Sequence, residues 1–145
     1  MLDDLLARLE AVLADPGSPE FVDRFEETLE QIAHVDDPSS IEALLGFVDG
    51  GLDDDLAFSI VHTVERFDDR SYVDHLLTAL PGLEARAPEW ARTIVLRVLN
   101  SPPSLAVLRD RAASGPDGAL RAVLRDLAAD PQFTDRAEDL LARLG

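Results

Sequence analysis

Apolar residues recur at every third or fourth position along most of the chain, which predicts a series of amphipathic helices. The first segment carries its apolar residues on one helical face, at Leu2, Leu5, Leu6, Leu9, Val12 and Leu13. Turn-forming stretches such as Asp15–Gly17, Gly50–Gly51, Gly115–Gly118 and Asp130–Pro131 interrupt the pattern, and the fifth helix is expected to end at Pro81–Gly82. No segment alternates with a period of two. The pattern therefore predicts an all-α fold of about nine helices.

One stretch of the chain nearly repeats itself 32 residues later. Asp36–Leu45 and Asp68–Leu77 share an Asp pair, a Ser, a β-branched apolar residue, an acid and a Leu pair in register, and a second amphipathic segment follows each copy. Helical hairpins that repeat at such a period are typical of HEAT and tetratricopeptide arrays, in which each unit buries its apolar face against the next. The sequence therefore predicts a right-handed α-solenoid of stacked helical hairpins, forming a single repeat domain over residues 1–145.

Charge is distributed unevenly along the chain. The formal net charge is −16, and all 13 basic residues are Arg. Residues 1–74 hold 20 acids and 4 bases, whereas residues 75–145 hold 9 of each, so the entire excess lies in the first half. Such a field repels phosphate backbones and anionic membranes, and it attracts a basic protein. The alternative is that the charge serves solubility alone.

Composition also bears on location. The chain has no cysteine, which excludes disulfides, thiolate metal sites and cysteine nucleophiles. The Met1–Asp4 start lacks the basic and apolar regions of an export signal, and no apolar run is long enough to span a membrane. We therefore expect a cytoplasmic protein.

No motif for catalysis or for cofactor binding is present. The glycine patterns of phosphate and dinucleotide loops are absent, and so is the G-x-S-x-G pattern of serine hydrolases. The histidines at positions 34, 62 and 75 form no pair at ligand spacing, and Asp49–Ile60 departs from the calcium-loop pattern at three positions. We expect no catalytic residue, no cofactor and no metal site.

Acidic clusters are the candidates for partner binding. The Asp pairs of the two repeat copies are expected to lie side by side, and the acidic run after Gly51 is expected at the opposite edge or on the adjoining helix face; acids also fill the polar side of the second helix. The candidate residues are Asp36, Asp37, Asp68, Asp69, Asp53, Asp54, Asp55, Glu26, Glu27 and Glu30. The alternative interpretation is that the aspartates are helix caps, a role in which Asp is common. Trp90 shares a helical stripe with Ile94 and Val98, which favours core packing over an interface role.

Three short segments, Val61–Glu65, Pro88–Ala91 and Leu96–Asn100, resemble the all-helical immunity proteins of bacterial polymorphic-toxin systems, of the immunity protein 30 kind. The resemblance covers roughly residues 20–128. It implies a small cytoplasmic protein that binds and neutralises a toxin encoded beside it, with no catalysis and no cofactor. It also implies that four residues maintain the fold and do not contact the toxin: Glu65, Trp90, Arg97 and Asn100.

Two functions are consistent with these observations. The first is an immunity protein whose acidic face occludes the substrate groove of a basic toxin of nuclease or deaminase type. The second is a HEAT-like scaffold or adaptor that binds a peptide or partner protein in a concave groove. Strong salt dependence of binding favours the first, and dependence on apolar side chains favours the second.

Overall fold

The computed structural model describes residues 1–112 and 118–144, which form nine α-helices and no β-strand. The helices are α1 (Leu2–Leu13), α2 (Phe21–Val35), α3 (Ser39–Leu45), α4 (Asp54–Val64), α5 (Asp69–Arg86), α6 (Pro88–Leu99), α7 (Pro102–Ala112), α8 (Gly118–Ala128) and α9 (Thr134–Leu144). The predicted all-α class and number of helices are confirmed for these residues. The turn expected at residues 115–118 lies outside them, apart from Gly118, which begins α8.

Several helices of like parity pack on one another. Among the odd-numbered helices, α3 contacts α1 and α5, and α7 contacts α5 and α9. Among the even-numbered ones, α2 contacts α4 and α6 contacts α8, whereas α4 approaches α6 through the rings of Phe58 and Trp90; α5 also packs on α8. Consecutive helices also pair, as α1 with α2, α3 with α4 and α5 with α6. Because each helix is covered on more than one side, the buried apolar side chains form a cluster that extends from Leu5 in α1 to Leu144 in α9.

Polar contacts between successive helical hairpins join residues at a nearly constant sequence separation. They include Glu26 with Ser59 and Glu42 with His75, each 33 residues apart, Glu65 with Arg97, 32 apart, and Asp69 with Ser104, 35 apart. These separations match the spacing of the sequence repeat. Residues roughly one sequence repeat apart therefore contact each other between these helices.

Helix α5 does not end at Pro81–Gly82, and that prediction is wrong: the helix continues to Arg86. Proline removes one backbone hydrogen bond from a helix interior, but tertiary contacts offset this loss. Leu80 and Leu83, on either side of the Pro–Gly pair, are fully buried, and Arg86 donates a hydrogen bond to the Leu45 carbonyl at 3.2 Å, at the end of α3.

Candidate functional site

One aspartate of each repeated pair binds a serine at the start of a helix: the second member, Asp37, in the first pair and the first member, Asp68, in the second. The Asp37 Oδ1 accepts hydrogen bonds from the Ser39 N–H at 3.0 Å and the Ser39 hydroxyl at 2.8 Å, where α3 begins. At the start of α5, Asp68 accepts the Ser71 N–H at 3.0 Å and the Ser71 hydroxyl at 2.8 Å. These bonds hold the pKa of both carboxyls below the usual range, and the backbone N–H contributes more than the hydroxyl. Asp68 is therefore the N-cap of α5, and Asp37 fixes the turn before α3 by binding its first residue, Ser39.

The other two aspartates of these pairs have different roles. Asp36 ends α2 in a left-handed conformation, with φ 55° and ψ 39°, and its N–H donates to the Ala33 carbonyl at 3.1 Å. Asp69 accepts a hydrogen bond from the Ser104 hydroxyl of α7 at 2.8 Å. Within the described ranges, only Asp36 of the four keeps an exposed carboxylate without an intramolecular partner.

The acidic run Asp53–Asp55 opens α4. Asp53 is the N-cap and accepts the Asp55 N–H at 3.0 Å. Asp54 and Asp55 occupy the first turn, where the helix dipole favours negative charge, and both are exposed. Neither of these two carboxylates has a hydrogen-bond or ion-pair partner in the part of the chain that the structure describes, so both are available to a partner molecule.

The glutamates of α2 point to two sides of that helix. Glu26 accepts a hydrogen bond from the Ser59 hydroxyl of α4 at 2.6 Å, and Glu30 pairs at 2.7 Å with Arg66, just beyond the same helix. The hydrogen bond from Arg66 lowers the pKa of Glu30. Glu27 lies on the side towards α1 and is exposed. Glu26 and Glu30 therefore belong to the face that α2 shares with α4.

A cleft of about 570 Å³ lies between the α1–α2 connection and the first turns of α4. Its apolar walls come from α1, α2 and α4 and from the α1–α2 and α3–α4 connections: Leu13, Pro16, Phe21, Val22, Leu52 and Leu56. Three predicted candidates, Glu26, Asp53 and Asp55, line the same cleft, whereas the aspartates of the repeated pairs do not. The structure thus brings part of the predicted acidic set together around an apolar cleft.

Phe58 is a surface residue that sequence analysis did not single out. Its side chain is 36% exposed, and its ring meets that of Trp90 edge-on, with ring centroids 4.8 Å apart. Trp90 is half-buried at the rim of the core, so its packing extends to the surface of α4 and α6. The helical period could have predicted this exposure, because Phe58 falls outside the buried stripe of α4, which runs through Ile60, Val61 and Val64.

The residues expected to maintain the fold lie mostly around a second, polar cleft of about 400 Å³. Arg97 forms two hydrogen bonds with the Glu65 carboxylate, and Asn100 ends α6 and accepts a hydrogen bond from Arg136 of α9. The Tyr72 hydroxyl is buried beside them. Burial raises its pKa most, and the negative charge of Glu65 raises it further. These contacts join helices of successive hairpins.

Two further searches concern the described residues alone. No three of their His, Asp and Glu side chains converge in a way that could hold a metal ion. None of their helices has both the length and the apolar character needed to cross a membrane.

Comparison with known proteins identifies one family. The model of the family described as Immunity protein 30 matches residues 17–108, from the middle of the α1–α2 connection into α7. No curated protein and no solved structure matches the chain. The matched segment contains both repeat copies and most of the cleft residues.

Proposed function

The chain belongs to the Immunity protein 30 family, and on that premise we propose that it binds a cognate bacterial toxin domain and neutralises it by covering the toxin's surface. The family match carries this proposal, since it spans more than half of the chain. The toxin is proposed to be a basic protein of nuclease or deaminase type. An acidic face occludes its cationic substrate groove.

The distribution of charge supports an acidic binding face. The whole net charge of −16 comes from residues 1–74, and most of these lie within the segment that the family model matches. The carboxylates of Asp54, Asp55 and Glu27 are exposed and accept no hydrogen bond within the described part of the chain, so binding a cation there breaks no existing side-chain contact. Asp37, Asp68 and Asp69 are already bonded within the fold. We therefore propose that the binding face extends from the first turn of α4 across the exposed side of α2 to Glu27, which lies towards α1.

The arrangement of helices supports the finer architectural proposal. We propose that the nine helices of the described ranges form one domain, a right-handed HEAT-like solenoid in which even-numbered helices make one row and odd-numbered helices the other. The like-parity packing and the hydrogen bonds at a separation of 32–35 residues are what such a stack requires. The acidic face then belongs to the even-numbered row.

The protein is proposed to act in the cytoplasm as a binding protein, with no catalytic step and no cofactor. If the toxin acts on intracellular nucleic acid or nucleotides, the protein that neutralises it has to bind it in the same compartment. Binding alone is sufficient for neutralisation, because an occluded groove admits no substrate.

The test is a titration of the cognate toxin domain's activity with the purified chain, with a heat-denatured sample as the control. Activity should fall linearly and vanish at an equimolar ratio. Residual activity in molar excess of a chain that binds the toxin would favour the scaffold function instead. Absence of a complex would refute the proposed toxin binding.

A further inference from the structure

The large apolar side chains that remain exposed are concentrated on the even-numbered helices. Besides Met1, the described part of the chain has two such residues, Val22 on α2 at 58% exposure and Phe58 on α4 at 36%. Val22 lines the 570 Å³ cleft, and Phe58, which pairs with Trp90, precedes Ser59, another residue of the cleft lining. Asp55 connects the two features, because it lines the cleft and precedes Phe58 by one helical turn. Clustered apolar surface of this kind marks interaction sites.

The rim of the cleft is negatively charged. Glu26, Asp53 and Asp55 line it, and no basic residue does. The nearby guanidinium groups are engaged with other acids, Arg24 with Glu20 at 2.6 Å and Arg66 with Glu30 at 2.7 Å. An occupant of the cleft therefore meets an apolar floor surrounded by carboxylates.

This charge pattern selects among possible occupants. A nucleic acid or an anionic membrane is repelled by the rim, and a second copy of the chain brings the same excess of carboxylates to the contact. A protein segment with an apolar side chain between Arg or Lys residues complements both the floor and the rim. Apolar anchors surrounded by charge are the usual form of a binding hot spot.

We propose that this cleft, together with the adjacent Phe58, is the docking point for a basic–apolar segment of the partner protein. The apolar side chain enters between Val22 and Leu52, and the flanking basic side chains pair with Asp55 and Glu26. The identification of that partner as the toxin rests on the proposed function. The preference of the cleft for such a segment does not.

The experiment uses two acetylated, amidated hexapeptides, Arg-Arg-Leu-Trp-Arg-Arg and its control Arg-Arg-Ser-Ser-Arg-Arg, titrated into the isotopically labelled full chain and followed by amide chemical shifts. The apolar peptide should bind about tenfold more tightly than the control, with the largest shifts at Val22, Leu52 and Asp55. Equal affinities, shifts located elsewhere, or no binding at millimolar peptide would overturn the proposal.

Three variants make the test specific. Val22→Ser should weaken the apolar peptide about tenfold and leave the control peptide unchanged, and Asp55→Lys should weaken both. Asp135→Lys on α9 makes the same charge change far from the cleft and should leave both affinities within about twofold.

The amide spectrum of each variant reports whether it is folded. If Val22→Ser and Asp55→Lys inhibit the toxin as well as the unaltered chain does, this docking point is wrong while the proposed function stands. If the unaltered chain binds the apolar peptide but does not inhibit the toxin, the preference of the cleft stands and the proposed function is wrong.

Discussion

Arg97 on α6 binds both carboxylate oxygens of Glu65, the residue that ends α4. Its Nε lies 2.8 Å from Oε2, and its Nη2 lies 2.8 Å from Oε1. The two residues are 32 apart, the same distance that separates the two sequence copies. The pair therefore joins α6 to the end of α4.

Arg97→Ala should destabilise the fold. It leaves the Glu65 carboxylate, only 25% exposed, without its partner. The expected loss in free energy of unfolding is about 1–2 kcal/mol, at the lower end for charge-assisted hydrogen bonds because Arg97 is 37% exposed. Urea denaturation measures it. Arg92→Ala, an exposed change on the same helix, is the control, and equal midpoints for the two variants would contradict the assigned role.

Tyr72 should resist ionisation until the protein unfolds. Burial raises its pKa above the unfolded value of about 10, so the neutral form stabilises the folded state. Stability is unaffected below that pH and falls as the pH rises above it, because only the unfolded chain then loses the proton. As Tyr72 is the one tyrosine of the chain, tyrosinate absorbance reports on it alone. The absorbance should rise together with loss of helical circular dichroism, and a rise that precedes unfolding would show that the hydroxyl is accessible.

Asp68→Ala should lower the midpoint of thermal unfolding at neutral pH, since it removes the cap of α5. The hydrogen bonds from Ser71 hold the folded pKa of Asp68 below its unfolded value. The contribution is thus present above the unfolded pKa and is lost as the pH falls through the folded one, so variant and unaltered chain should converge in acid. Asp54→Ala, in the first turn of α4 but without a side-chain hydrogen bond, should change the midpoint less. A difference that persists in acid would exclude capping as the cause.

Helix starts could be predicted from sequence because an Asp–Ser contact forms at the start of a helix in both copies, with Ser39 and Ser71 in register but with the aspartate at different positions of the pair. An Asp followed by a Ser at the start of a helix satisfies N–H groups that the helix itself leaves unpaired, so Asp37 with Ser39 and Asp68 with Ser71 are readable locally. The number of helices could also be predicted, because the buried apolar residues of each helix recur with the helical period.

Features that depend on tertiary packing could not be predicted. The continuation of α5 past Pro81 rests on the burial of Leu80 and Leu83 and on a contact to the end of α3, none of which is visible in the local pattern. The cleft requires that Val22 and Leu52, from different hairpins, meet beside Asp55. Sequence analysis found the acids there but not the apolar floor between them.

The binding face is tested most directly by the association rate of the chain with its cognate toxin domain, measured at increasing NaCl concentration. The unaltered chain should associate at least about tenfold more slowly at 0.5 M than at 0.05 M salt, because screening weakens the attraction between acidic face and basic toxin. Glu27→Lys with Asp54→Lys and Asp55→Lys should abolish most of that salt dependence, whereas Asp126→Lys, Asp130→Lys and Asp135→Lys, equal in charge, should retain it. A salt-independent rate, or equal effects of the two triple variants, would contradict an acidic toxin-binding face on α2 and α4.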